Sequence, residues 1–110
     1  MVSVFSASSP SLSLPLDLIV LQQTLLAADR AVGDYALAVR DRRRAEYPQP
    51  WQAVERCTWG TGEQAEFDRR WECYVRAADA VRTHPVLVRA RILGIEPTVL
   101  RGLREAAARF

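Results

Sequence analysis

"LPLDLIVLQQTLLAADRAVGDYALAVRDRRRAE" occupies residues 14–46. Within it Leu14, Leu18, Leu21, Leu25, Ala28, Val32, Tyr35 and Val39 recur at alternating steps of four and three. That spacing is the apolar seam of a helix that packs along its length on another element. Pro15 suits the first helical turn, where its missing N–H would have no partner anyway, and Asp17 complements the positive end of the helix dipole. The pattern predicts a single helix from Leu16 to Glu46. Gly33 costs it about 1 kcal/mol relative to Ala, and because the seam continues on both sides, a kink is the most it predicts. Pro48 and Pro50 in "YPQP" end the helix, since each lacks a donor and disfavours helix in the residue before it.

The chain downstream repeats the logic. "PWQAVERCTWG" predicts a short helix opening at Pro50, with Trp51, Val54 and Cys57 on one side and Gly60 as a stop. Thr61 and Gln64 have the spacing of a capping box for the next helix. There Phe67, Trp71, Tyr74, Ala78 and Val81 repeat the four-three seam, while Asp68, Arg69, Arg70, Glu72 and Arg76 take other faces. Two facing seams predict an antiparallel hairpin over residues 15–83, whose first arm is longer than its second. Its surplus apolar length needs cover from the carboxyl-terminal helices or from another chain, and a homodimer is one solution.

Composition narrows the function. The chain has 110 residues, 49% hydrophobic and 25% charged, and fits one soluble domain, which the helical seams make all-α. All fifteen basic residues are Arg, a bias expected of a bacterial genome rich in G and C. Residues 1–83 hold ten Arg against eleven acidic side chains, whereas residues 84–110 hold five Arg against Glu96 and Glu105. The carboxyl-terminal piece is thus the basic one. His84 is the only histidine, placed before Pro85 at a helix junction, and no Ser or Cys has a base partner at a readable spacing; no enzyme is expected. Cys57, Cys73 and His84 lack the paired spacing and fourth ligand of a structural zinc site, so neither metal nor cofactor is expected. Two Cys sixteen apart suit free thiols in a reducing cytoplasm. The amino terminus lacks a positive n-region, and no apolar run approaches the roughly 18 residues of a membrane span. Six Ser and Pro10 within the first thirteen residues predict a disordered arm over residues 1–14.

The last segment, "RARILGIEPTVLRGLREAAARF", residues 89–110, reads as two short helices joined at Gly94. Thr83 is placed to cap the first, with Pro85 near its start and Val86, Ala90 and Leu93 on one face. Ile95 and Glu96 complete the turn. Pro97 begins the second, with Val99, Leu100, Leu103, Ala106 or Ala107, and Phe110 facing inward. Ala90 permits close helix approach, Gly94 takes the left-handed turn, and Leu100 and Leu103 pin the second helix. Gly102 leaves a gap in its middle, and Glu105 is one turn after Arg101, the spacing of an i,i+4 pair.

In those positions residues 83–110 resemble a bacterial helix-turn-helix motif. There a small residue sits where the helices touch, Gly follows four places later, and apolar residues follow at ten and thirteen. The resemblance implies that the second helix lies in the major groove of double-stranded DNA, with Thr98 and Arg101 reading base edges and Arg89, Arg91 and Arg104 on phosphates. The competing expectation is a protein-interaction module, an adaptor, inhibitor or assembly subunit, that docks through the seam residues Leu18, Leu21, Leu25 and Val32 with Trp51 and Trp59.

Overall fold

The computed structural model describes residues 14–109. The arm predicted over residues 1–14 therefore lies outside the described residues except for Leu14, which packs on a core cluster. The elements are α1 (Leu16–Glu46), a 3-10 turn (Pro50–Gln52), α2 (Ala53–Cys57), α3 (Thr61–Arg82), α4 (Pro85–Ile92) and α5 (Glu96–Arg109). The protein is all-α, with no strand among the described residues. α1 has the predicted bounds and runs through Gly33 without a break. Pro15 starts it by accepting from the Leu18 and Ile19 amides at 3.1 Å. The chain forms two compact units, and both α1 and α3 contribute residues to each.

The first unit holds residues 14–26 and 76–109. Leu18, Ile19, Val81, Leu87, Leu103 and Ala106 form its buried core, with Leu14, Leu21, Leu25, Val86, Val99 and Leu100 packed around it. The amino-terminal stretch of the α1 seam is thus covered by α4 and α5 of the same chain, so the predicted surplus calls for no second copy there. Gln23 Nε2 donates to the Ala107 carbonyl at 3.4 Å, satisfying one of the acceptors left open at the end of α5.

The second unit holds residues 27–75. Arg70 donates to the Ala31 carbonyl at 3.1 Å and Arg43 to Glu63 at 2.7 Å, so α1 and α3 run antiparallel within it. Val39 is fully buried there. A chain of rings lines the unit: Tyr35 meets Trp59 edge-on at 6.2 Å, Trp59 meets Phe67 at 5.3 Å, and Phe67 and Trp71 stack at 6.4 Å. Trp59 is therefore a packing residue, whereas Trp51, 77% exposed, touches none of these rings. Arg56 ties the loop after α1 to α2 by donating at 2.7 Å to the carbonyls of both Tyr47 and Gln49.

The cap of α3 differs from the expected one by a residue. Glu63, not Gln64, reaches back and accepts from the Gly60 amide at 2.8 Å. Glu63 also accepts from Arg42 and Arg43, and it takes the role in place of Gln64 because a carboxylate accepts from a guanidinium more strongly than an amide oxygen does. Hydrogen bonds from Arg42, the Gly60 amide and Arg43 hold the Glu63 carboxyl at about 2, below its ordinary 4.5. Arg69 and Arg70 do the same to Glu66. A depressed carboxylate stabilises the fold fully above its unfolded value, and the contribution fades as pH falls through the folded one. The melting temperature should therefore drop between pH about 4.5 and about 2. Glu63→Gln should flatten part of that slope in a circular-dichroism melt series, and an unchanged slope would show that the clamp does not form.

Candidate binding surface

The surface is built on the α4–α5 corner of the first unit. The cap of α4 is His84, not Thr83: its Nδ1 accepts from the Val86 amide at 3.1 Å, while the Thr83 hydroxyl donates backward to the Asp79 carbonyl. With Nδ1 accepting, the ring proton sits on Nε2 and points at Asp17 Oδ2, 3.0 Å away. That hydrogen bond is the main reason the Asp17 carboxyl lies below its ordinary value. His84 is thus occupied at both nitrogens in joining α1 to α4.

α4 ends in a Schellman turn. The Ile95 amide donates to Ala90 at 2.9 Å and the Gly94 amide to Arg91 at 3.2 Å, with Gly94 at φ 75°. A Cβ at Gly94 is strained in that conformation, whereas at Gly102 it would meet only Leu14 Cδ1 at 4.0 Å. Gly94→Ala should cost about 1–2 kcal/mol, and Gly102→Ala should stabilise by about 0.5–1 kcal/mol through helix propensity. Urea titrations giving both changes the same sign would contradict this corner. The same geometry turns Gly102 toward Leu14, so it leaves no gap on the outward side of α5.

Leu87 and Ala90 are buried and Val86 packs on the core, so α4 faces inward through these three. Leu93, expected on that face, is 58% exposed. It is the C-cap, where the chain leaves the helix axis for the turn. Around it Ile92 is 78% exposed and Ile95 47%, with Val88 a turn earlier also exposed. α5 faces inward through Leu103, Ala106 and Ala107, with Val99 and Leu100 partly covered. Phe110, expected to join them, lies outside the described residues.

The charges of the corner are unevenly paired. Arg91 is spent internally, donating to the Arg82 carbonyl at 2.8 Å and to Glu96 at 3.0 Å. Arg82 pairs with Asp79. Among the described residues, no ion pair involves Arg89, Arg101, Arg104 or Arg109, and the expected Arg101–Glu105 pair is not formed. Thr98, Arg101 and Arg104 are all exposed. Of the residues expected to contact DNA, four are therefore free at the surface and Arg91 is not.

The residues expected to form a protein interface are dispersed. Leu18 is fully buried, Leu21 and Leu25 pack on the same core, and Val32 is half-buried in the second unit. Leu18 is used up by the chain's own packing, which leaves it no surface for a partner. Trp51 alone of the six is widely exposed. What the seam reading missed is the cluster Val88, Ile92, Leu93 and Ile95. Its signal was present: in "PVLVRARIL" apolar residues fall on every side of a short helix, which asks for cover on more than one face.

Cys57 and Cys73 are exposed free thiols. No group of three metal-ligating side chains occurs among the described residues. A hollow of about 450 Å³ in the second unit is lined by Ala36, Cys57, Trp59, Gln64 and Phe67, with no charged side chain to orient a polar ligand. Among the described residues, no helix is long and apolar enough to cross a membrane. Comparison with protein-family models, with curated proteins and with solved structures finds no match to this chain.

Proposed function

We propose that the chain is a non-catalytic, cytoplasmic protein-docking module whose partner binds the α4–α5 corner. The observation that carries this is the exposure of Ile92, Leu93 and Ile95, which flank the Gly94 turn in the chain. Fully burying such a side chain is worth about 1.5–3 kcal/mol, so a partner that covers all three gains a substantial driving force. Affinity capture from the native host, run in parallel with the wild type and with Ile92→Asp/Ile95→Asp, tests it. At least one protein should be retained by the wild type and lost from the variant. If every retained protein is retained equally by both, the corner is not the docking surface.

Double-stranded DNA is the second reading, favoured by the unpaired Arg89, Arg101 and Arg104 and by the exposed Thr98. In it the outward side of α5 enters the major groove, as the helix-turn-helix resemblance implies. Phosphate contacts are strongest at low salt, so an anisotropy titration on random-sequence duplex at low and at physiological salt decides it. Absence of binding at low salt ends this reading. Where binding is present, Arg101→Ala should weaken a selected site more than random duplex.

A further inference from the structure

Resting on the docking reading, we infer that the partner of the α4–α5 corner is an acidic amphipathic segment of another protein, with apolar side chains bordered by carboxylates. The reasoning begins with α4. Its eight residues carry apolar side chains all round, yet among the described residues cover reaches only the side holding Val86, Leu87 and Ala90. The uncovered side is not purely apolar. Arg89 stands one turn before Ile92 and Leu93, at i,i+3 and i,i+4, so its guanidinium shares their surface. Beyond the turn, Arg101 and Arg104 are exposed on α5. Of the two carboxylates on α5, Glu96 is already held by Arg91, and Glu105, exposed one turn after Arg101, offsets only one of the three guanidinium charges. The corner therefore presents an apolar ridge with Arg89 beside it and an excess of Arg over open carboxylates on α5 beyond the turn.

That combination sorts the occupants. A second copy laid corner to corner would bring Arg89 and Arg101 toward their own equivalents, which like-charge repulsion opposes. A DNA duplex would satisfy the arginines but would leave Ile92, Leu93 and Ile95 against phosphates and water, gaining nothing from their burial. A neutral apolar surface would bury the ridge but gain nothing from the arginines. An acidic amphipathic segment meets both demands at once. Because α4 is only about 12 Å long at 1.5 Å per residue, the footprint is small and the binding should be of micromolar order.

The test uses the full chain and a labelled two-heptad helical peptide with Leu on one face and Glu on the others, beside a twin in which every Glu is Lys. Anisotropy should show the Glu peptide binding at least about tenfold more tightly than the Lys twin, and losing affinity as salt is raised. Ile92→Asp should weaken the Glu peptide by at least about tenfold while keeping the helical circular-dichroism signal and lowering the melting temperature by no more than a few degrees, because residue 92 is already open to water and the only cost is a carboxylate at the end of α4. Arg89→Glu should shift the preference toward the Lys twin, a reversal that loss of folding cannot produce. Equal binding of the two peptides would overturn the acidic partner, as would binding indifferent to Ile92→Asp. Concentration-dependent self-association of the wild type that Ile92→Asp abolishes would also overturn it, in favour of a second copy. If host capture still depends on Ile92 while the peptides show no charge preference, the docking reading survives and this inference alone fails.

Discussion

Replacing Leu103 with Ala should lower the melting temperature by roughly 12–24 °C, the largest single effect expected in this chain. Leu103 is fully buried and belongs to the cluster of Leu18, Val81, Leu87 and Ala106. Truncation to Ala removes transfer energy and leaves a cavity, together about 3 kcal/mol at such a site. Relaxation into the hole is limited, since its neighbours come from α1, α3, α4 and α5, each anchored elsewhere. A domain of this size loses about 4–8 °C per kcal/mol. A circular-dichroism melt at 222 nm reads the loss directly, and a fall of only a few degrees would mean that the core around Leu103 is not closed.

Trp59→Ala should act on the second unit in the same direction, by about 2 kcal/mol. The value lies below that for a fully buried Trp because the ring is only half covered. What it loses is specific: Trp59 is the link between Tyr35 on α1 and Phe67 on α3, and each edge-on ring contact adds to simple area burial. Trp51 and Trp71, both exposed, are the remaining tryptophans, so the variant's native emission should shift to longer wavelength as well as melt earlier. By contrast, Trp51→Ala should leave stability nearly unchanged, because Trp51 is 77% open to water and in none of the ring pairs. If the two variants melted alike, the assignment of Trp59 to packing would fail.

The long helix was legible because its signals are local. The seam from Leu14 to Val39, Pro15 before the start and Pro48 after the end all lie within or beside one element, and they suffice to set Leu16–Glu46. The Gly94 turn was legible for the same reason, since a left-handed residue between two apolar helices needs Gly almost whatever surrounds it. The caps were less so. Thr83 and Thr61 have the right chemistry, yet His84 and Glu63 took the roles one position away or with another donor set. Their advantage comes from Asp17 and from Arg42 and Arg43, which are distant in sequence.

The candidate surface was the least legible part. Arg89, Thr98, Arg101 and Arg104 were found from charge and spacing, but Arg91 looked equivalent to them until its bonds to Glu96 and Arg82 were seen. Leu18, Leu21 and Leu25 looked available for a partner because a seam does not announce what lies on it. The sequence by itself determined that this protein is helical, where its long first helix begins and ends, and that its basic charge gathers at the carboxyl end, since periodicity, proline and composition act within a few residues. Only the tertiary structure decided that α4 and α5 cover the start of α1 while Ile92, Leu93 and Ile95 stay open. Burial is a property of contacts between segments far apart in the chain, and an apolar side chain looks the same in sequence whether or not another segment reaches it.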